Sequence, residues 1–326
     1  MDCLALAVVG LGRWGMAYCR TLGLLDCCEL VAAVDSSPSA RERAVPILRD
    51  IAPKCRVLAD ISALVNGNVD AAIVATPPDT HYQIAERLLT AGLDVMVEKP
   101  MTISFDEALR LSSVASHYHR LVAVGHTPIF TADFQRAFRT CYPLRSSLLL
   151  ARRTSNGSAV FDSAIAFYSV ATPAVVLWDL APHDIAMAIK LAGEPETSWC
   201  RANGQLSVEY FLRFANGVIM KGLAAWRKRS IRQFRIVAGG SVIDIREPLE
   251  GEIPFEELPL TRQCREFAAA CKHRRALASG LSLGVATVRV LERLSSFLAT
   301  YRRQTDICLR EHRPCSEPVT VLSPFK

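Results

Sequence analysis

The sequence predicts an α/β protein in two parts. A doubly wound parallel sheet comes first, followed by an α+β domain built on a large, mostly antiparallel open sheet. Three observations carry this reading. Short apolar runs alternate with amphipathic helical stretches over the first 125 residues, a glycine-rich turn closes the first run, and consecutive strand-like segments follow.

The elements follow in order. Residues 4–9 are apolar and lead into Gly10-Leu11-Gly12-Arg13-Trp14-Gly15, with a helical stretch to about Leu24. Further runs span Glu29 to Val34, Val69 to Ala75, Asp94 to Val97 and the neighbourhood of Leu121 to Val124. Helix-like segments lie between them at 38–50, 79–92 and 103–118. Strands that read as continuous apolar runs, separated by helices, mean βαβ units with both sheet faces covered. From about 125 the segments 145–153, 205–214, 217–226, 231–239 and 241–246 follow one another, linked by Asn216-Gly217 and Gly239-Gly240. Such dipeptides are hairpin turns, so these strands are expected to run antiparallel. A helix around 180–192 interrupts them, and helices at about 261–273 and 283–304 close the chain. The expected division is 1–124 and 125–326.

Composition narrows the function. Half of the 326 residues are hydrophobic and 21% are charged, enough for a sizeable core. No stretch approaches the ~20 apolar residues of a membrane span, and the N-terminus lacks a basic start and a cleavage site, so a cytoplasmic protein is expected. The 11 cysteines form no C-x-x-C pair, which reads as buried thiols in a reducing compartment without a metal. The net charge of +6 is spread along the chain and joined to no nucleic-acid reading module.

Gly10-x-Gly12-x-x-Gly15 follows a strand, opens a helix, and is followed by Asp35 at the end of the next strand. Gly10 permits the turn, Gly12 lets backbone approach a pyrophosphate, and Gly15 allows close helix–strand packing. Asp35, with Ser36, would accept from ribose hydroxyls, which favours NAD and leaves NADP possible through Arg41 or Arg43. Ala75-Thr76-Pro77-Pro78 and Glu98-Lys99-Pro100 close two strands at the edge where open parallel sheets bind ligands. The local alternatives for Lys99 are a substrate-polarising ammonium or an ion pair with Glu98. Asp179 and His183 are four apart and share a helix face. They suit proton transfer, with Asp179 as N-cap the simpler alternative.

Taken together, Gly10 to Gly15, Asp35, Ala75-Thr76-Pro77-Pro78 with His81, Glu98-Lys99-Pro100 and Asp179-x-x-x-His183 resemble the successive motifs of the Gfo/Idh/MocA oxidoreductases. The resemblance implies an N-terminal Rossmann domain and a C-terminal domain whose open sheet pairs with another subunit in a homodimer or homotetramer. It implies that Lys99 contacts the nicotinamide ribose and the reacting hydroxyl, that His183 is the general acid/base, and that Asp179 binds substrate or steadies the proton transfer. Leu11, Arg13, Trp14, Pro77, His81, Glu98 and His126 would lie along the dinucleotide. Val124-Gly125-His126 and the residues around Asp179 resemble the sugar-nucleotide branch, although Thr127-Pro128 and the stretch before Asp179 depart from its pattern and leave the substrate open.

The expected activity is transfer of a hydride between NAD and a secondary hydroxyl of a sugar or sugar nucleotide. Arg152 and Arg153 are candidates for a substrate phosphate, since guanidinium binds it bidentately. The competing readings are a catalytically silent NAD-binding sensor or scaffold, and a reductase of a non-sugar diol or imine.

Overall fold

The computed structural model describes residues 3–65, 68–155, 172–248 and 251–310, the last eleven, 300–310, as backbone only. The chain opens with β1 (Leu4–Val9), α1 (Arg13–Gly23), β2 (Cys28–Val34), α2 (Pro38–Ile51), β3 (Arg56–Leu58) and α3 (Ser62–Val65). It continues with β4 (Ala71–Val74), α4 (His81–Thr90), β5 (Asp94–Val97), α5 (Phe105–His117) and β6 (Val122–Val124). These six strands form one parallel sheet in the order β3-β2-β1-β4-β5-β6, the doubly wound arrangement with its crevice between β1 and β4.

Alternation along each strand loads both faces. Ala7, Val9, Val74, Val95 and Val97 meet Leu88 and Leu89 of α4 and Leu111 of α5. Leu6, Val8, Ile73 and Met96 meet Tyr18 and Leu22 of α1 and Leu48 of α2. A strand buried on both sides has no polar face to show, which is why these runs were legible as strands. Side-chain caps fix the helix starts: Ser37 accepts from the Ala40 amide, and Ser104 from the Glu107 amide.

The second part begins with α6 (Ala132–Cys141), β7 (Leu148–Ser155), α7 (Pro173–Ala192) and β8 (Pro195–Ala202). It ends with β9 (Ser207–Phe214), β10 (Ile219–Trp226), β11 (Ile231–Ala238), β12 (Ser241–Ile245), α8 (Pro259–His273) and α9 (Leu281–Arg310). The sheet order is β12-β11-β7-β10-β9-β8, antiparallel except where β7 and β10 run parallel at its centre. One face, with Leu149, Met220, Tyr210 and Ile236, packs on Val176, Leu177 and Leu180 of α7 and Leu294 of α9. On the other face lie Leu150, Arg152, Phe211, Lys221 and Leu223, and no described element covers it. The last helices return to the first sheet: Cys264 and Phe267 of α8 join the layer of α1.

Several expectations are corrected. The helix expected at 180–192 starts at Pro173, capped by Thr172, whose hydroxyl accepts from the Val175 amide. Asp179 is therefore inside the helix, and its reading as N-cap falls. Four elements went unread: β3, α3, the edge strand β8 and α6. Among the described residues no helix is long and apolar enough to cross a membrane, and no cluster of His, Cys, Asp or Glu could hold a metal ion.

Candidate active site

At the end of β1 the backbone of Gly10 takes φ +93°, and a Cβ there would lie 2.6 Å from the Ala75 carbonyl oxygen. A Cβ at Gly15 would sit 1.7 Å from the Gly10 oxygen, so α1 presses against the turn. Gly12, the N-cap of α1, differs: a Cβ built on it would meet nothing within 4 Å. The helix start has no side-chain cap, so its first N–H groups face the open space beside Gly12 and suit the pyrophosphate of a dinucleotide. Asp35 braces this turn. Its Oδ2 accepts from the Leu11 amide at 2.7 Å and its Oδ1 from the Ser37 amide at 2.8 Å. Arg41, named above as a possible partner of a 2′-phosphate, donates to the carbonyls of Asp35 and Ser36 at 2.7 and 2.9 Å. Trp14 is 41% exposed at the mouth of the turn, with the Arg13 guanidinium 5.8 Å from its ring.

The loops after β4 and β5 are tied together. Both ring nitrogens of buried His81 face carbonyls, those of Pro100 at 2.8 Å and Thr76 at 2.9 Å. Burial pushes its pKa below the ordinary imidazole value, and a neutral ring donates to one carbonyl at a time. His81 therefore joins the two loops rather than reaching for a dinucleotide. Glu98 is also turned inward. Its Oε1 accepts from the Tyr18 hydroxyl at 2.6 Å and its Oε2 from the Lys99 amide at 3.0 Å, while burial pushes its carboxyl upward. A Cβ on Gly125 would stand 2.8 Å from Glu98 Oε1, so β6 can lie against this carboxyl only with glycine there. Glu98 thus braces the loop.

Lys99 turns away from Glu98 and crosses to the second part. Its Nζ donates to the Asp179 carbonyl at 2.7 Å and lies 3.4 Å from Asp179 Oδ1, both side chains being less than one-fifth exposed. Pro182 inside α7 leaves the Trp178 carbonyl without its helical N–H partner, one residue before the carbonyl that Lys99 meets. Asp179 Oδ2 accepts from Trp226 Nε1 at 2.9 Å, so the carboxylate is held from two sides.

One turn further on stands His183. Its Nδ1 is buried without a partner, and its ring meets His126 edge to face, centroids 5.8 Å apart and planes at 82°. Burial pushes His183 well below the ordinary imidazole value, with Arg153 and Lys99 adding to the effect. His126 is pushed down to about 3, by burial first and then by Lys99. Both rings are neutral at physiological pH.

The two arginines part company. Arg153 is buried and donates through Nε and Nη2 to Asp184 Oδ1 at 3.1 and 2.8 Å, and through Nη2 to Glu247. Asp184, wholly buried, also lies 3.4 Å from the Tyr210 hydroxyl. Carboxylates engage these guanidinium nitrogens, which contradicts the expected phosphate contact; Arg153 instead forms the charged floor behind His183. Arg152, its exposed neighbour on β7, projects from the opposite, uncovered face of the second sheet. Sequence reasoning missed Trp226, Tyr18 and Glu247. They reach the site from 47, 80 and 94 positions away, and no spacing announces such contacts.

Residues 4–126 match the family described as "Oxidoreductase family, NAD-binding Rossmann fold". A UDP-N-acetylglucosamine 3-dehydrogenase of Acidithiobacillus ferrooxidans is 30% identical over 119 residues, 36% of each chain. Curated relatives are thus matched over less than two-thirds of their length. Among solved structures, a UDP-N-acetylglucosamine 3-dehydrogenase from the same organism has TM-score 0.73 at 21% identity, covering 91% of this chain and 100% of its own. A Lactobacillus casei scyllo-inositol dehydrogenase with bound NAD(H) and scyllo-inositol has TM-score 0.77 at 16% identity, covering 92% and 98%. At these identities the structural likeness speaks for the fold, which extends over both parts.

Proposed function

We propose, for a chain whose NAD-binding domain belongs to the Gfo/Idh/MocA oxidoreductase family, that it is an NAD-dependent dehydrogenase of a secondary hydroxyl on a sugar-like ring. A single observation carries the reading: the Lys99 ammonium of the first sheet meets Asp179 of α7, one turn from His183. When bound, NAD supplies a nicotinamide carbon that accepts or returns a hydride.

The chain's own residues do the rest. The Gly10–Gly15 turn, the start of α1 and Asp35 hold the dinucleotide, and a carboxylate at Asp35 favours NAD over a 2′-phosphate. Lys99, displaced from the Asp179 carbonyl by the incoming hydroxyl, hydrogen-bonds that oxygen and lowers its proton affinity. His183, neutral because burial and Arg153 keep it so, takes the hydroxyl proton in oxidation and returns it in reduction. Asp179, steadied by Trp226, holds the ammonium and faces the substrate.

The finer substrate class is a sugar nucleotide. The named relatives above and the motif around Asp179 support it, and Lys99 and His183 serve any ring alcohol equally. The uncovered face of the second sheet, where Leu150, Phe211 and Leu223 alternate with charged residues, supports pairing with a second copy, which sedimentation would read directly. The test of function is NADH formation with UDP-N-acetylglucosamine, myo-inositol and scyllo-inositol. Turnover with at least one is expected. Tight NAD binding with no hydride transfer from any of them would instead mark a silent sensor.

A further inference from the structure

Resting on that reading and deepening it, we propose that His126 is a substrate-gripping residue. Its imidazole, at the end of β6, hydrogen-bonds the hydroxyl beside the one that reacts, so the pocket selects vicinal diols on a polyol or sugar ring.

The ring is 1% exposed, and neither Nδ1 nor Nε2 has a partner. Among the described residues no other buried side chain leaves two polar atoms bare. Burying a donor and an acceptor without partners is unfavourable, and native interiors rarely tolerate it. The fold gains nothing from these nitrogens. The backbone alone fixes the residue, through its amide to the Val124 carbonyl at 2.7 Å and the fit of Gly125 against Glu98. What remains is a ligand that completes them.

The position selects which ligand. β6 lies beyond β5, two strands past β4 and the crevice where a dinucleotide crosses the sheet. There the ring meets the edge of His183 from the second part, 5.8 Å between centroids. It therefore flanks the proton-transfer group rather than the pyrophosphate turn. A neutral imidazole offers one donor and one acceptor, the complement of a hydroxyl, which both gives and takes. Burial, and after it the adjacent Lys99 ammonium, oppose protonation, so this capacity persists whatever His183 is doing.

The test uses the full chain, His126→Phe and His126→Gln, NADH, and three probes: scyllo-inositol, myo-inositol and UDP-N-acetylglucosamine. His126→Phe keeps a flat ring and removes the bare nitrogens. The unliganded variant should melt no lower than the wild type, and up to about 2 °C higher. Its NADH affinity should stay within about twofold, while affinity of the NADH complex for at least one probe falls about tenfold or more, the equivalent of one lost hydrogen bond. His126→Gln, which restores a donor and an acceptor, should recover part of that loss. In the wild-type NADH complex the same probe should shift the His126 imidazole nitrogen resonances. A tenfold loss of NADH affinity would assign the ring to the cofactor and overturn the proposal. So would unchanged probe affinity, a lower melting temperature as the sole effect, or resonances that no probe moves. These readouts are binding and stability. Failure of the dehydrogenase reading looks different: a wild type that binds a probe yet passes no hydride.

Discussion

The loops after β4 and β5 and the pocket between β6 and α7 lie side by side, yet they treat buried polar groups in opposite ways. In the loops, the polar atoms of His81 and Glu98 have polar neighbours: each His81 nitrogen faces a carbonyl, one of which takes the ring's single N–H at a time, and both Glu98 oxygens accept. In the pocket, His126 and one nitrogen of His183 are buried with nothing to bond. Burial depresses all three imidazoles, so burial alone does not separate framework from function. Satisfaction does. A satisfied buried histidine holds the fold, whereas an orphaned one is held by it for something else.

Substitutions should divide along that line. The largest stability effect is expected behind the pocket, at the ion pair that floors it. Arg153→Leu strands Asp184, which is wholly buried, and should cost about 3–5 kcal/mol in denaturant unfolding. A loss under about 1 kcal/mol would mean that water reaches the carboxylate. Next come the groups proposed to handle the proton. His183→Ala and Lys99→Ala should each lower turnover by ~10²-fold or more while NADH affinity moves only a few-fold. On the framework side, His81→Leu should cost about 2 kcal/mol of stability by removing the N–H shared between the Thr76 and Pro100 carbonyls, with turnover reduced only as the Lys99 loop loosens. Trp226→Phe removes the donor to Asp179 Oδ2 and should lower turnover by about tenfold, with stability lowered by about 1 kcal/mol. If His81→Leu abolished turnover at full stability, the comparison would be wrong.

The pH dependence sharpens the same contrast. A histidine with a lowered folded pKa refuses a proton that the unfolded chain accepts near pH 6.5. Above that pH the difference vanishes. As pH falls below it, stability is lost at up to about 1.4 kcal/mol per pH unit for each such ring, until the folded state also protonates. For His126 the window therefore runs from about 6.5 down to about 3. His126→Phe should make acid unfolding shallower by one proton, as a titration of unfolding free energy against pH would show. Turnover in the oxidising direction should likewise show no drop as pH falls through about 6.5, where an ordinary imidazole would protonate, because burial holds His183 below that value.

How much of this the sequence revealed follows from how far apart the contacts lie. The glycine turn and Asp35 were legible because their geometry is local: Asp35 closes on Leu11 only 24 positions back, within one βαβ unit. The four-residue spacing of Asp179 and His183 was equally plain. The helix start at Pro173 was missed although Thr172-Pro173 is an N-cap followed by proline at N1. α6 carried a readable stripe too, with Phe134, Ala137, Phe138 and Cys141 at helical spacing. Other features lay beyond any reading of spacing. Nothing near Arg153 announces the carboxylates of Asp184 and Glu247, and nothing near Trp226 announces Asp179. Edge strand β8 mixes buried and exposed positions without alternation, so no period marks it.

Lys99 from the loop after β5 and His183 from α7 are proposed to serve one oxygen, and a double-mutant cycle on NADH formation tests that most directly. With the best of the three probes, Lys99→Ala and His183→Ala should each lower kcat/KM by ~10²-fold, and the double variant should fall little further, because groups acting as a unit are not additive. Losses that multiply would contradict the account by showing two groups working independently, as would either single variant turning over like the wild type.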